Sequence, residues 1–164
     1  MNIVCLDMEG VLVPEIWIAF AQASGIPELR RTTRDEPDYD KLMNWRLGIL
    51  KEHGLGLKEI QATIAQIDPL PGAREFLDEL RSLTQVIILS DTFEQFAKPL
   101  MAKLNWPTLF CNTLEVAPDG AITGFRMRQG FCDFCIMDSV AYHQRFCGMQ
   151  LSGTQYIANH LRYP

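Results

Sequence analysis

At 164 residues, 48% hydrophobic and 21% charged, the chain has the size and composition of one globular domain, or of one domain with a small insert, and not of a disordered segment. Fifteen Lys+Arg against twenty Asp+Glu give a net charge of −5 with no basic run, which argues against a nucleic-acid partner. Apolar stretches stay well short of the ~18 residues a membrane span needs. The N-terminus also lacks a cationic n-region, an apolar h-region and a cleavage site, so a cytoplasmic location is expected.

In chain order, Ile3–Leu6 is a short apolar strand that stops at Asp7, and Gly10 and Pro14 bracket a loop after it. Ile16–Ala23 has helical spacing, with Gly25 as its stop. Residues 26–39 read as a connector. Asp40 is placed to cap a second helix through Leu42, Met43, Arg46, Leu47 and Leu50, closed by Gly54. Leu57, Ile60, Ile64 and Ile67 mark a third helix, ended by Pro69 and Pro71. A fourth follows Pro71-Gly72, with Ala73, Phe76, Leu77, Leu80 and Leu83 on one face. Val86–Leu89 is a β-branched run of the kind buried in a parallel sheet, expected to stop at Ser90-Asp91. Helical spacing resumes over Phe93–Leu104, and Thr113–Val116 and Ile122–Met127 flank Pro118-Asp119-Gly120 as a hairpin. This alternation predicts an α/β fold, a Rossmann-like doubly wound parallel sheet, with a helical stretch inserted after the first strand.

Composition shifts near Gly130. Cys5 and Cys111 are spread over residues 1–129, whereas Cys132, Cys135 and Cys147 crowd the last 35, and the last lysine is Lys103.

Open α/β sheets bind ligands beyond the carboxyl ends of their strands. Two of the predicted strands end in polar residues there. Asp7-Met8-Glu9-Gly10 offers two carboxylates and a glycine that permits a sharp turn. A carboxylate in this position can attack phosphorus or act as a hard oxygen ligand for Mg²⁺, and a neighbouring carboxyl can protonate a leaving oxygen and then activate water. Ser90-Asp91-Thr92 adds a hydroxyl and backbone N–H groups that suit a phosphate oxygen. Taken singly, each feature has a plainer meaning: Ser90 or an Asp as a cap, Glu15 and Arg46 as solvated helix residues.

As a set, these residues resemble the haloacid dehalogenase superfamily, in its phosphoserine phosphatase branch, which includes the bifunctional phosphoserine phosphatase/homoserine phosphotransferases. The resemblance runs over residues 1–129. It is carried by Cys5–Glu15, Thr32–Asp35, Pro37–Asp40, Val86–Phe93 and Phe125–Gln129, with Glu9 standing where most of the superfamily has Asp. It implies a core formed by residues 1–13 and 69–129, a helical cap from 14–68, and a divergent tail from 130–164. It further implies Asp7 as the nucleophile that becomes an aspartyl-phosphate and Glu9 as general acid/base. Mg²⁺ would sit on the Asp7 carboxylate and the Glu9 carbonyl. Ser90 would bond the phosphoryl group with Asp91 contacting substrate, and Glu15 and Arg46 would hold the ammonium and carboxylate of phosphoserine. Transfer of the phosphoryl group to homoserine is part of the same expectation. No nucleic acid or membrane partner is expected.

The family also uses a lysine after the hairpin and a Gly-Asp-Ser-x-Asn-Asp strand end. Neither follows Arg128-Gln129 in this chain. An alternative expectation is therefore a catalytically impaired relative that at most binds a ligand. Cys132, Cys135, His143 and Cys147 could hold tetrahedral zinc, although their spacing fits no finger pattern, and reduced unpaired cysteines are the expected state. Without a further strand, Ile3–Leu6 and Val86–Leu89 are each expected to have one exposed flank, the protein to aggregate or pack loosely, and residues 130–164 to be poorly ordered.

Overall fold

The computed structural model describes residues 3–128. Its elements in chain order are β1 (Ile3–Leu6), α1 (Ile16–Ser24), a 3₁₀ turn (Pro27–Arg30), α2 (Tyr39–Glu52), α3 (Leu57–Ile64), α4 (Ala73–Leu83), β2 (Gln85–Phe93), α5 (Glu94–Met101), β3 (Thr108–Val116) and β4 (Ile122–Arg126). The sheet order is β1-β2-β3-β4. The first two pairings are parallel, and the β3–β4 hairpin is antiparallel. This is the α/β architecture that the strand–helix alternation predicts.

Local chemistry sets the boundaries. Gly25 closes α1 by donating its N–H to the Ala21 carbonyl. At α2, the Asp38 carboxylate accepts the Lys41 N–H at 3.1 Å and meets Lys41 Nζ at 3.2 Å, so Asp38 is the cap and not Asp40, which lies inside the first turn. On α4, Ala73 and Leu77 are buried and Phe76 and Leu80 pack beside them, but Leu83 is 77% exposed. The apolar face ends one turn earlier than its spacing predicts.

Two strand boundaries also differ from expectation. β2 continues through Ser90 and Asp91 to Phe93, and β3 begins at Thr108, five residues before the predicted hairpin strand. The added stretch of β3 is what pairs with β2, so β2 has β1 on one side and β3 on the other and no exposed flank. Among the described residues β1 pairs with β2 alone. The expectations for residues 130–164, including poor order and the four zinc ligands, lie outside the described residues.

One core joins sheet and insert. Leu12, Leu29, Ile64, Leu77, Ile88 and Leu104 are wholly enclosed. An aromatic chain crosses between the two parts: Trp17 of α1 meets Phe96 edge-on, Phe96 meets Phe93, Phe93 meets Phe125, and Phe125 meets Tyr39 of α2, with centroids 5.4–6.3 Å apart. Polar ties reinforce it. Lys103 Nζ donates to the carbonyls of Ala65 and Ile67 and to Asp68, and the Leu57 N–H donates to the Gly120 carbonyl at the hairpin tip. Gly56 is required there, since a Cβ would lie 2.9 Å from the Gly120 oxygen.

The two ends of α4 should respond very differently to truncation. Leu77→Ala is expected to cost about 2–5 kcal/mol, whereas Leu83→Ala should stay within about 0.5 kcal/mol. Urea unfolding of both variants checks this; equal losses would contradict the packing of α4.

Candidate active site

Asp7 and Glu9 emerge on one side of the chain because the strand alternation of β1 persists past its end. Val4, Leu6 and Met8 point into the core, and the residues between them do not. Gly10, at φ 72°, then reverses the chain, with its N–H on the Val13 carbonyl at 2.7 Å and the Val13 N–H on the Met8 carbonyl at 3.0 Å. A side chain at Gly10 would be strained in that conformation. The result is a tight loop that leads directly into α1.

The parallel register sets Leu6 opposite Ile88, so the residues just beyond each meet at the same end of the sheet. The Ser90 hydroxyl bonds to the Asp7 carboxylate. Asp7 also accepts the Met8 N–H at 2.6 Å. Glu9 Oε2 accepts the Ile16 N–H at 2.9 Å, which places a carboxylate on the first turn of α1. The buried Thr92 hydroxyl lies close enough to favour the charged form of Glu9, although it closes no hydrogen bond of good geometry.

Burial dominates the electrostatics. It pushes Asp7 up from 3.8 to about 7, assisted by the negative charge of Asp91 and opposed by the Met8 N–H and the Ser90 hydroxyl. It pushes Glu9 up from 4.5 to about 8, again assisted by Asp91 and opposed by the Ile16 N–H. Asp91 is raised as well, through burial, with Arg46 pulling the other way. Three carboxyl groups thus share a poorly solvated corner.

Arg46 reaches this corner from α2. It is 6% exposed, stacks over the Trp17 ring at 4.5 Å, and donates to the Arg31 carbonyl at 2.6 Å. Desolvation lowers it to about 10, against the attraction of Tyr39, Glu9, Asp91 and Glu15, so it stays charged at neutral pH. Its Nε is buried without a hydrogen-bond partner among the described residues. Glu15 is exposed at the start of α1. The fold therefore gathers Asp7, Glu9, Ser90 and Asp91 closely, brings Arg46 within electrostatic reach, and leaves Glu15 at the margin.

The sequence gives no individual role to the side chains of Thr92 and Tyr39, and none to Asn112. Asn112 is a buried amide in the middle of a strand, where asparagine is disfavoured, and only the fold shows that it lies there. A cavity of about 520 Å³ between α5 and β3, lined in part by Lys98, Trp106, Phe110 and Arg128, includes none of the predicted site residues. Among the described residues, no three His, Cys, Asp or Glu side chains converge as a metal centre. The Asp7 carboxylate and the Glu9 carbonyl are hard oxygen donors that match part of a Mg²⁺ shell. Also among the described residues, no helix is long and apolar enough to cross a membrane.

No family model matches the chain. It is similar to the phosphoserine phosphatase ThrH of Pseudomonas aeruginosa, at 58% identity over 129 residues, 79% of this chain and 63% of that protein. It is also 57% identical over 129 residues to a phosphoserine phosphatase of Pseudomonas syringae pv. tomato, 79% of this chain and 54% of that protein. The chain thus spans little more than half to under two thirds of the length of these relatives. Among solved structures, a substrate-bound phosphoserine phosphatase complex superposes with TM-score 0.59 at 23% identity, covering 77% of this chain and 62% of the other. A phosphoserine phosphatase from T. onnurineus gives TM-score 0.55 at 23% identity, with 77% and 64% covered. These two support the fold. With the sequence identity to the Pseudomonas proteins added to that fold, the chain resembles, over 129 residues, the phosphoserine phosphatase branch of the haloacid dehalogenase superfamily.

Proposed function

We infer that the site is that of a phosphoserine phosphatase-type phosphohydrolase, working through Asp7. The observation that carries this reading is the meeting of Asp7, bonded by the Ser90 hydroxyl, with Glu9, held on the first turn of α1, in a corner where burial raises the proton affinity of both carboxyls. A general acid near neutrality needs that raised affinity.

The chemistry runs in two steps. In the first, an Asp7 carboxylate oxygen attacks phosphorus, the ester P–O bond breaks, and the Glu9 proton passes to the departing serine oxygen. In the second, ionised Glu9 takes a proton from water, whose oxygen attacks the aspartyl-phosphate and releases phosphate with Asp7 restored. If the hydroxyl of homoserine replaces that water, the same step becomes phosphoryl transfer. Ser90 and the neighbouring N–H groups hold the phosphoryl oxygens, Asp91 lies beside the substrate, Arg46 offers a guanidinium to its carboxylate, and Glu15 an anion to its ammonium. When bound at the Asp7 carboxylate and the Glu9 carbonyl, Mg²⁺ supplies positive charge that favours the ionised nucleophile.

A second reading, ligand binding with little turnover, is favoured by one observation. No lysine follows Lys103 in the sequence, and Lys103 itself is engaged by the Ala65 and Ile67 carbonyls and by Asp68. Losing one electrostatic donor from such a site costs on the order of 10²–10³ in rate.

Release of phosphate from phosphoserine separates the two. Turnover by the unaltered chain should exceed that of Asp7→Asn at equal concentration and fall on chelation of divalent cations. Ser90→Ala should lose on the order of 10²-fold. Identical release by the unaltered chain and Asp7→Asn would exclude catalysis and leave binding.

The raised carboxyls also set a pH dependence of stability. Between their ordinary values and about 7 for Asp7 and about 8 for Glu9, the folded chain binds more protons than the unfolded one. Stability is therefore highest on the acid side of that window and falls as pH rises through it, by an amount on the order of a few kcal/mol. Urea midpoints measured from about pH 5 to about pH 8.5 should decline, and the double substitution Asp7→Asn/Glu9→Gln should flatten the profile. A profile unchanged by that substitution would place the titration elsewhere.

A further inference from the structure

β2 does not run in even register with β3. Leu89 pairs with Phe110 and the next pair is Phe93 with Asn112, so β2 spends three residues, Ser90, Asp91 and Thr92, where β3 spends one. Those three residues form a bulge, and a bulge takes backbone groups out of the ladder. The site's hydroxyl and one of its carboxylates both stand on it. Something must hold its geometry, because an unpaired buried carbonyl is costly.

Asn112 does so. Its Nδ2 donates to the Asp91 carbonyl at 2.8 Å, and its Oδ1 accepts the Arg128 N–H at 3.0 Å. The orientation of the amide is fixed, since one partner only accepts and the other only donates. Asn112 is 5% exposed, so both bonds are shielded from water. The Tyr39 hydroxyl, on the insert, donates to the same Asp91 carbonyl at 3.4 Å. Gln95 makes an informative contrast. Its side-chain amide also stands in for ladder bonds, exchanging two of 2.9 Å with the backbone of Leu114, but at the start of α5 and not on the bulge.

We propose that Asn112 is a positioning residue for the phosphoryl site: its amide substitutes for the ladder bonds missing at the bulge and so fixes Ser90 and Asp91 opposite Asp7. Tyr39 adds a second hold on the same carbonyl from the insert. The catalytic part of this role rests on the phosphohydrolase reading above. The placing of the segment does not.

The experiment compares Asn112→Ala, Tyr39→Phe and Gln95→Ala by amide hydrogen exchange and by phosphoserine turnover. For Asn112→Ala, the amides of Asp91, Thr92 and Arg128 should exchange about tenfold faster while those of Val86–Ile88 change less than about twofold. kcat should fall about tenfold or more with KM within about twofold. Tyr39→Phe should act at the same amides to a smaller extent, and it serves in place of Asn112→Ala should that variant fail to fold. Gln95→Ala should lower the melting temperature without moving kcat. Equal acceleration at Val86–Ile88 and on the bulge would overturn the proposal. So would an unchanged kcat in Asn112→Ala beside an unaltered chain that is active through Asp7. Should the unaltered chain show no Asp7-dependent release, the phosphohydrolase reading fails, and the exchange pattern alone decides whether Asn112 places the bulge.

Discussion

The parallel pairing of β1 with β2 is the interaction on which everything else depends. Only when two strands point the same way do their carboxyl ends lie together, and only in this register do the residues after Leu6 and Ile88 meet. The apolar strand interiors supply the pairing energy, and the polar residues at the strand ends are carried into place by it. The tight Gly10 loop and the first turn of α1 then enclose Glu9 from one side, while the insert closes the other with Arg46 and Tyr39. Chemistry here is a by-product of where a hydrophobic ladder happens to stop.

The charge arrangement is lopsided. Burial disfavours ionisation of Asp7, Glu9 and Asp91 alike, the charge of Asp91 adds to the effect on Asp7 and Glu9, and Asp7 adds a little more on Glu9. Arg46 lies within electrostatic reach of Glu9 and Asp91, and its guanidinium is engaged by the Trp17 ring and the Arg31 carbonyl. Burial lowers it only to about 10, so it stays charged over the range in which the carboxyls change state. Protonation of the corner is therefore read almost entirely by the carboxyl groups themselves.

Much of this was legible in the sequence, and the failures have physical causes. β1, the helices and the hairpin announce themselves through apolar periodicity, and Asp7, Glu9, Ser90 and Asp91 through their place after apolar runs. The first half of β3 does not, because Thr108–Cys111 alternates exposed and half-buried positions and follows Asn105 and Trp106, both with positive φ. Ser90-Asp91 looked like a strand terminus because polarity usually marks one, whereas the neighbouring strand lets β2 pass through them as a bulge. The cap at α2 was misplaced by two residues because both Asp38 and Asp40 suit a helix start, and only the fold shows which carboxylate reaches the Lys41 N–H. Asn112 went unassigned since its partners, at Asp91 and Arg128, are distant in the chain.

The contact between Gly56 and Gly120 has a bearing on how such a chain can diverge. The two residues are separated by most of the core in sequence, yet the hairpin tip sits directly on the entry to α3, with the Leu57 N–H bonded to the Gly120 carbonyl. Surface hairpins are ordinarily where insertions accumulate freely. This one is not at liberty to lengthen, because any growth at Pro118–Gly120 pushes against Gly56 and Leu57 at the entry to α3. Drift in an exposed turn is thus tied to the start of a helix some sixty residues earlier in the chain, and the turn and that helix entry should change together.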